Sequence, residues 1–224
     1  MKLKDLNKLQ VDWLSTLKGV ASLLRDPGNT DSVYDVEDGL KNIKATQLAV
    51  DFVKSQPGVA ELFAERYLAP SPDLQALLQL PPDSLGYAYA KYLTDSGFDA
   101  EFYRKETVNS DINYFFMRVR QTHDIWHILG GFSTDPIGEL SLKAFELAQI
   151  RRPIAAIFVA GGLLQTLFNT PEQMGRFLEQ MAIGYRMGAK AKPMLAQRWE
   201  EQWEKPLAQW RSELNVEPMA VYVP

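Results

Sequence analysis

An all-α, multi-helix fold is the class this chain predicts, and three observations carry it. Apolar residues recur three and four positions apart along most of the 224 residues, which is the spacing of one helix face. Proline, glycine and Asx residues interrupt that pattern where helices should start and stop. No alternating run has an evident partner strand. Internal repeats, low-complexity tracts and long flexible linkers are also missing, so the reading is one helical domain over residues 1–224.

The elements follow in order. Leu3, Leu6, Trp13, Leu17, Val20 and Leu24 share one face, and Asp26-Pro27-Gly28-Asn29 breaks that helix. A second helix is expected over Val36 to Lys54, with Leu40, Ile43, Val50 and Val53 inward and Gln56-Pro57-Gly58 as its stop. Short helices follow over Ala60 to Leu68 and from near Asp73 to Pro81-Pro82. The stretch Ser84 to Leu93 fits strand or helix by periodicity; Ser84 as a cap and two alanines favour helix. Asp111 is expected as the cap of a helix reaching Leu129, and Asp135-Pro136 opens another, to Ile150. Pro153 opens an apolar helix to Phe168, and Thr170 with Gln173 has capping-box spacing. Pro193 begins the last helical region, with Trp199, Trp203, Trp210 and Leu214 on one face and a bend at Pro206.

Composition removes several function classes. The absence of cysteine excludes disulfide scaffolds, thiolate metal sites and cysteine nucleophiles. With 24 Lys+Arg against 28 Asp+Glu the formal charge is −4, which argues against a general grip on nucleic acid. The longest apolar run, Ile154 to Leu164, is too short to cross a bilayer, which takes about 17–25 residues. A partly exposed apolar helix resting on a membrane stays compatible with it. Asp5 and Asp12 interrupt the N-terminal apolar positions, so neither a secretory signal nor a presequence is expected there. Lys2, Lys4, Lys8, Lys18 and Arg25 on that helix suit an anionic lipid surface, but an ordinary amphipathic core helix explains them as well.

The two histidines of the chain, His123 and His127, stand four apart in HDIWH. On a helix that spacing puts both imidazoles on one face, one turn apart, where a single ion is in reach of both. Glu139 follows near the start of the next helix, and the loop GGFSTDP lets that helix fold back to set a carboxylate opposite the pair. Two histidines and a carboxylate suit Zn²⁺ or Fe²⁺. Asp124 has three open roles: a fourth ligand, a holder of bound water, or a proton carrier. Arg120, four residues earlier, can instead pair with it. The bland alternative is a hydrogen-bonded histidine pair with Glu139 and Lys143 as a surface i, i+4 pair.

The helix Ile154 to Phe168 reads from composition as a buried core helix. Yet Gly161 and Gly162 leave space against its backbone, and with Phe158 they suit a long hydrocarbon ligand. Arg151 and Arg152 beside its N-terminus suit an anionic head group, or else they stabilise the end of the preceding helix.

The stretch RQTHDIWHILGGFSTDPIGEL, His-Asp-x-x-His followed after eleven residues by Glu, resembles the ubiquinone (coenzyme Q) biosynthesis protein 4 family. The likeness extends to GYAYAKYLTDSGFD and to KAKPMLAQRWEEQWEKPLAQWRSELNV, roughly residues 80–217. It implies an all-helical protein of prenylated-quinone synthesis with a divalent-metal site at His123, Asp124, His127 and Glu139. It further implies association with polyprenyl lipids, membranes and other biosynthetic enzymes, and an oxidative decarboxylation at C1 of a polyprenylated hydroxybenzoate. The expected place is cytoplasmic and peripheral to a membrane, or the mitochondrial inner membrane for a processed form. A non-catalytic lipid-presenting scaffold with a structural ion is the second reading, and a zinc hydrolase the third, since HDIWH imitates HExxH with a shorter acid. The Trp- and Leu-rich faces near the C-terminus suggest a homodimer.

Overall fold

The computed structural model describes residues 30–219; the helix expected over Leu3 to Leu24, its basic residues and the stop at Asp26-Pro27-Gly28-Asn29 lie outside them. The described residues form ten α-helices, α1 (Thr30–Leu40), α2 (Lys44–Lys54), α3 (Val59–Glu65), α4 (Leu74–Leu77), α5 (Leu85–Ser96), α6 (Asp111–Gly130), α7 (Pro136–Ile150), α8 (Pro153–Asn169), α9 (Met174–Lys190) and α10 (Leu207–Leu214). No strand occurs among them, and one isolated bridge joins Ser84 to Pro206. The fold class is all-α.

The longest helix, α6, is the axis of the core. Tyr114, Phe115, Phe116, Val119, Trp126 and Leu129 are all buried on it, against α2, α3, α5, α7 and the C-terminal segment. The Ser110 hydroxyl caps its start by accepting from the Asn113 amide, and Gly131, at φ 67°, ends it in the left-handed conformation that glycine adopts without strain. Four residues later Asp135 caps α7, accepting from the Ile137 and Gly138 amides, with Pro136 in the first turn. The short connection holds the start of α7 beside the last turns of α6.

Several expected boundaries move for local reasons. The single helix over Val36–Lys54 is two, because Ile43 takes an extended conformation (φ −82°, ψ 152°) and the Thr46 hydroxyl donates to the Leu40 carbonyl across the break. Ser110, not Asp111, is the cap of α6; Asp111 ion-pairs with Lys54 and Arg66. Thr170 forms no capping box, and residues Pro171–Gln173 make a 3₁₀ turn before α9. The last region is not one bent helix. Two 3₁₀ turns, Met194–Ala196 and Trp199–Glu201, precede α10, and Pro206 starts α10 rather than bending it. The Leu207 amide donates to the Asp83 carbonyl and the Leu85 amide to that of Lys205, tying this segment to the start of α5. Trp199, Trp210 and Leu214 are buried within the chain, so the face expected to pair with a second copy is core.

The helix α8 also differs from the buried core helix that composition suggests. Ile154, Ala155, Gly161 and Gly162 are buried, but Leu163, Leu164, Leu167 and Phe168 are exposed. No helix among the described residues is long and apolar enough to cross a membrane.

Candidate metal centre

His123 and His127 project from the last turns of α6, their rings 4.8 Å apart between centroids, and Glu139 faces them from the first turn of α7. One donor atom from each lies within 4.8 Å of the others. Glu139 Oε1 is 3.1 Å from His127 Nε2, and Oε2 is 4.0 Å from His123 Nε2.

Hydrogen bonds on the far sides of both rings assign the tautomers. His127 Nδ1 is 3.2 Å from the Phe132 carbonyl, which only accepts, so Nδ1 carries the proton and Nε2 the lone pair. His123 Nδ1 is 3.3 Å from Asp124 Oδ1, which fixes the same tautomer. Buried His127 Nε2 makes no aligned hydrogen bond, although a carboxylate oxygen stands 3.1 Å away. Two acceptors this close call for a cation between them, a proton on Nε2 or a metal ion. The donor set therefore fits a divalent ion, with two outer hydrogen bonds that orient the histidines as metal sites require.

Burial pushes the Glu139 carboxyl up, but the His127 contact, with His123 and Lys143 beside it, outweighs burial and holds it at about 2. Burial and the Lys143 charge push His123 down. Tyr92 of α5 lies against His127, centroids 6.1 Å apart, and burial followed by the charges of Asp124 and Glu139 raises its phenol, which stays protonated.

The other residues singled out in the sequence are placed as follows. Asp124 stands behind His123, on its Nδ1 side, outside the converging donor atoms. Arg120 pairs with buried Glu37 rather than with Asp124, and Arg152 pairs with the other oxygen of the same carboxylate. Arg151 ends α7 at φ 52° with its guanidinium over the Phe52 ring. The room beside Gly162 is taken, since a Cβ there would meet Leu140 at 2.4 Å. Phe158 lies nearer the centre, its ring 5.8 Å from Lys143 Nζ. Lys143 is buried and bonds Glu146 and His123, not Glu139. Tyr92, Glu37 and the role of Lys143 escaped the sequence. Only Lys143 carried a signal there, its i, i+4 spacing from Glu139.

A family model described as coenzyme Q (ubiquinone) biosynthesis protein Coq4 matches residues 2–220. A zebrafish (Danio rerio) relative, named ubiquinone biosynthesis protein COQ4 homolog, mitochondrial, is 32% identical over 147 residues, covering 65% of this chain and 54% of that one. A Drosophila ananassae relative of the same name is 28% identical over 220 residues, covering 95% and 80%. The chain spans about half the length of several curated relatives it matches. Among solved structures, a Nostoc punctiforme protein described in terms of ubiquinone biosynthesis superposes with a TM-score of 0.81 at 35% identity, covering 91% of this chain and 98% of that one.

Proposed function

Because the chain belongs to the coenzyme Q (ubiquinone) biosynthesis protein Coq4 family, we propose that it serves ubiquinone biosynthesis as a metal-dependent protein acting on a polyprenylated hydroxybenzoate, with loss of the ring's C1 carboxyl. The observation that carries this reading is the convergence of two imidazole nitrogens and one carboxylate at the ends of α6 and α7. His123, His127 and Glu139 would hold the ion, Zn²⁺ or Fe²⁺, whose chemistry is to withdraw charge from a bound phenol or carboxylate, with electron transfer added where it is iron.

The chain's own residues supply the rest. Asp124 and the Phe132 carbonyl hold the two imidazoles in register. The protonated Tyr92 phenol offers a hydrogen-bond donor on the α5 side. Phe158 and the apolar length of α8 lead from the polar centre toward the surface, a course suited to an isoprenoid tail. Other quinone-biosynthesis enzymes are the proposed partners, at a membrane surface, and the relatives' mitochondrial names support the mitochondrion as its place where the host has one.

The deciding experiment measures metal content and extracted lipid on purified protein, wild type beside His127→Ala. Near-stoichiometric metal that disappears in the variant, with an isoprenoid in the extract, is the expected result; protein that stays metal-free after reconstitution refutes the metal reading. A non-catalytic lipid-presenting scaffold is the second reading, favoured by the exposed apolar face of α8. Glu139→Ala separates the two: turnover lost with fold and lipid retained marks the enzyme, and loss of fold marks a bracing ion. The hydrolase reading is the weakest, because Asp124 is turned to His123 Nδ1 and away from the centre.

A further inference from the structure

Lys143 brings a positive charge to a place built to receive another one. It lies one turn past Glu139 on α7, with its side chain 10% exposed. Its Nζ is 3.1 Å from His123 Nε2 and 2.5 Å from Glu146 Oε1. Since Asp124 fixes the His123 proton on Nδ1, Nε2 presents a single lone pair, and the Lys143 ammonium donates to it. That lone pair can face an ammonium or a metal ion, not both. Glu146 is fully buried and is itself anchored by Arg152, so Lys143 has a fixed second partner that is not one of the metal ligands.

We propose that Lys143 is the gatekeeper of the metal site: in metal-free protein its ammonium occupies the His123 lone pair, and loading a divalent ion drives it off His123 onto Glu146 alone. The inference rests on the metal reading above and adds a positioning residue to it. The ammonium takes the place of an ion at His123 and so keeps a half-buried imine nitrogen from standing unpaired. Once displaced, it has freed an N–H beside the site, where the anionic group of an incoming substrate arrives. A lysine that only neutralised Glu146 would do neither.

The test is a zinc titration of metal-free protein by calorimetry against a competing chelator. It compares wild type with the double variant Lys143→Met/Glu146→Gln, which removes one positive and one negative charge together. Circular dichroism verifies the fold of each. The double variant is expected to bind Zn²⁺ about tenfold or more tightly, the scale on which outer partners tune metal sites. Glu146→Gln alone, which takes away the charge that competes with His123 for the ammonium, is expected to bind more weakly than wild type. Equal affinity in wild type and double variant overturns the gatekeeper while the metal reading stands. No zinc uptake by either protein, matching His127→Ala, overturns both. Should the double variant not fold, nitrogen NMR of the wild type decides. The Lys143 Nζ and His123 Nε2 signals both move with one equivalent of Zn²⁺ if the contact is exchanged for the ion, and an unmoved Lys143 signal overturns the proposal.

Discussion

Glu37 is 1% exposed, and three helices meet on its carboxylate: Arg120 of α6 donates to one oxygen, and Arg152 at the start of α8 donates to the other. Arg120 also reaches Glu106 at 2.9 Å, whereas Arg152 reaches its other carboxylate, Glu146, only at 3.5 Å. Glu37→Gln therefore leaves two buried cations short of charge, and the expected loss is about 3–5 kcal/mol, read as a lower urea midpoint. The contrast with His123 and His127 shows what a sequence can carry. The histidine pair and Glu139 were legible because helix geometry alone aligns an i, i+4 pair and a short loop returns the carboxylate. The Arg–Glu–Arg cluster was not, because its members are 83 and 115 residues apart and only the packing of α1 against α6 and α8 unites them. For that reason Arg120 read as a partner of Asp124, and Arg152 as a head-group binder or a stabiliser of the preceding helix end.

Among the helices, the tightest join is that of α7 with α9. A Cβ built on Gly184 would stand 2.3 Å from the Ser141 carbonyl oxygen, whereas one on Gly175, near the start of the same helix, meets nothing within 4 Å. Gly184→Ala is expected to cost about 1–3 kcal/mol by forcing α9 off the α7 backbone, and Gly175→Ala is expected to be neutral or to gain up to about 1 kcal/mol from helix propensity. Thermal unfolding of the two variants side by side checks both signs. A second junction is Asp111, which ties the start of α6 to Lys54 of α2 and to Arg66 at the end of α3. The Lys54 hydrogen bond is the main cause, and with Arg66 it overcomes burial and holds the Asp111 carboxyl below its ordinary value. The folded chain thus binds this proton less readily than the unfolded chain. Its contribution is full above about pH 4, the ordinary Asp value, and is lost as pH falls through the depressed folded value. Being a third exposed, the pair is worth about 1 kcal/mol at most. Asp111→Asn should flatten the fall in melting temperature between about pH 5 and pH 3. Both the Asp111 misreading and the missed split at Ile43 have one cause. A Ser or Asp at a helix start and an apolar residue at a break have the same local pattern as their alternatives, and tertiary partners choose between them.

Taken as one body, the described residues set a polar centre between α6 and α7 and an exposed apolar face along the second half of α8. Leu164 is 49% exposed, Leu167 51% and Phe168 78%, and on α9 Leu178 is 52% exposed. Such an apolar group is far more than the scattered exposed leucine normal on a soluble surface. Which side of α8 stays open was not legible in the residues, because a helix apolar all round has no preferred face and the outcome depends on where α7 and α9 press. The proposed function supplies an occupant, since an isoprenoid tail leaving the centre along α8 would enter a bilayer through this face. Leu167→Asp/Phe168→Asp removes two apolar contacts that carry no weight in the core. The expected effect on vesicle binding is a loss of about 3 kcal/mol, near a hundredfold in partition, with the melting temperature unchanged. Co-sedimentation with phospholipid vesicles measures the first and calorimetric scanning the second. A second copy of the chain covering the face would show itself differently: the same variant would leave vesicle binding untouched and lower the sedimentation coefficient. Wild-type protein that neither binds vesicles nor self-associates would show that another partner covers α8, and the path drawn here for the tail would be wrong.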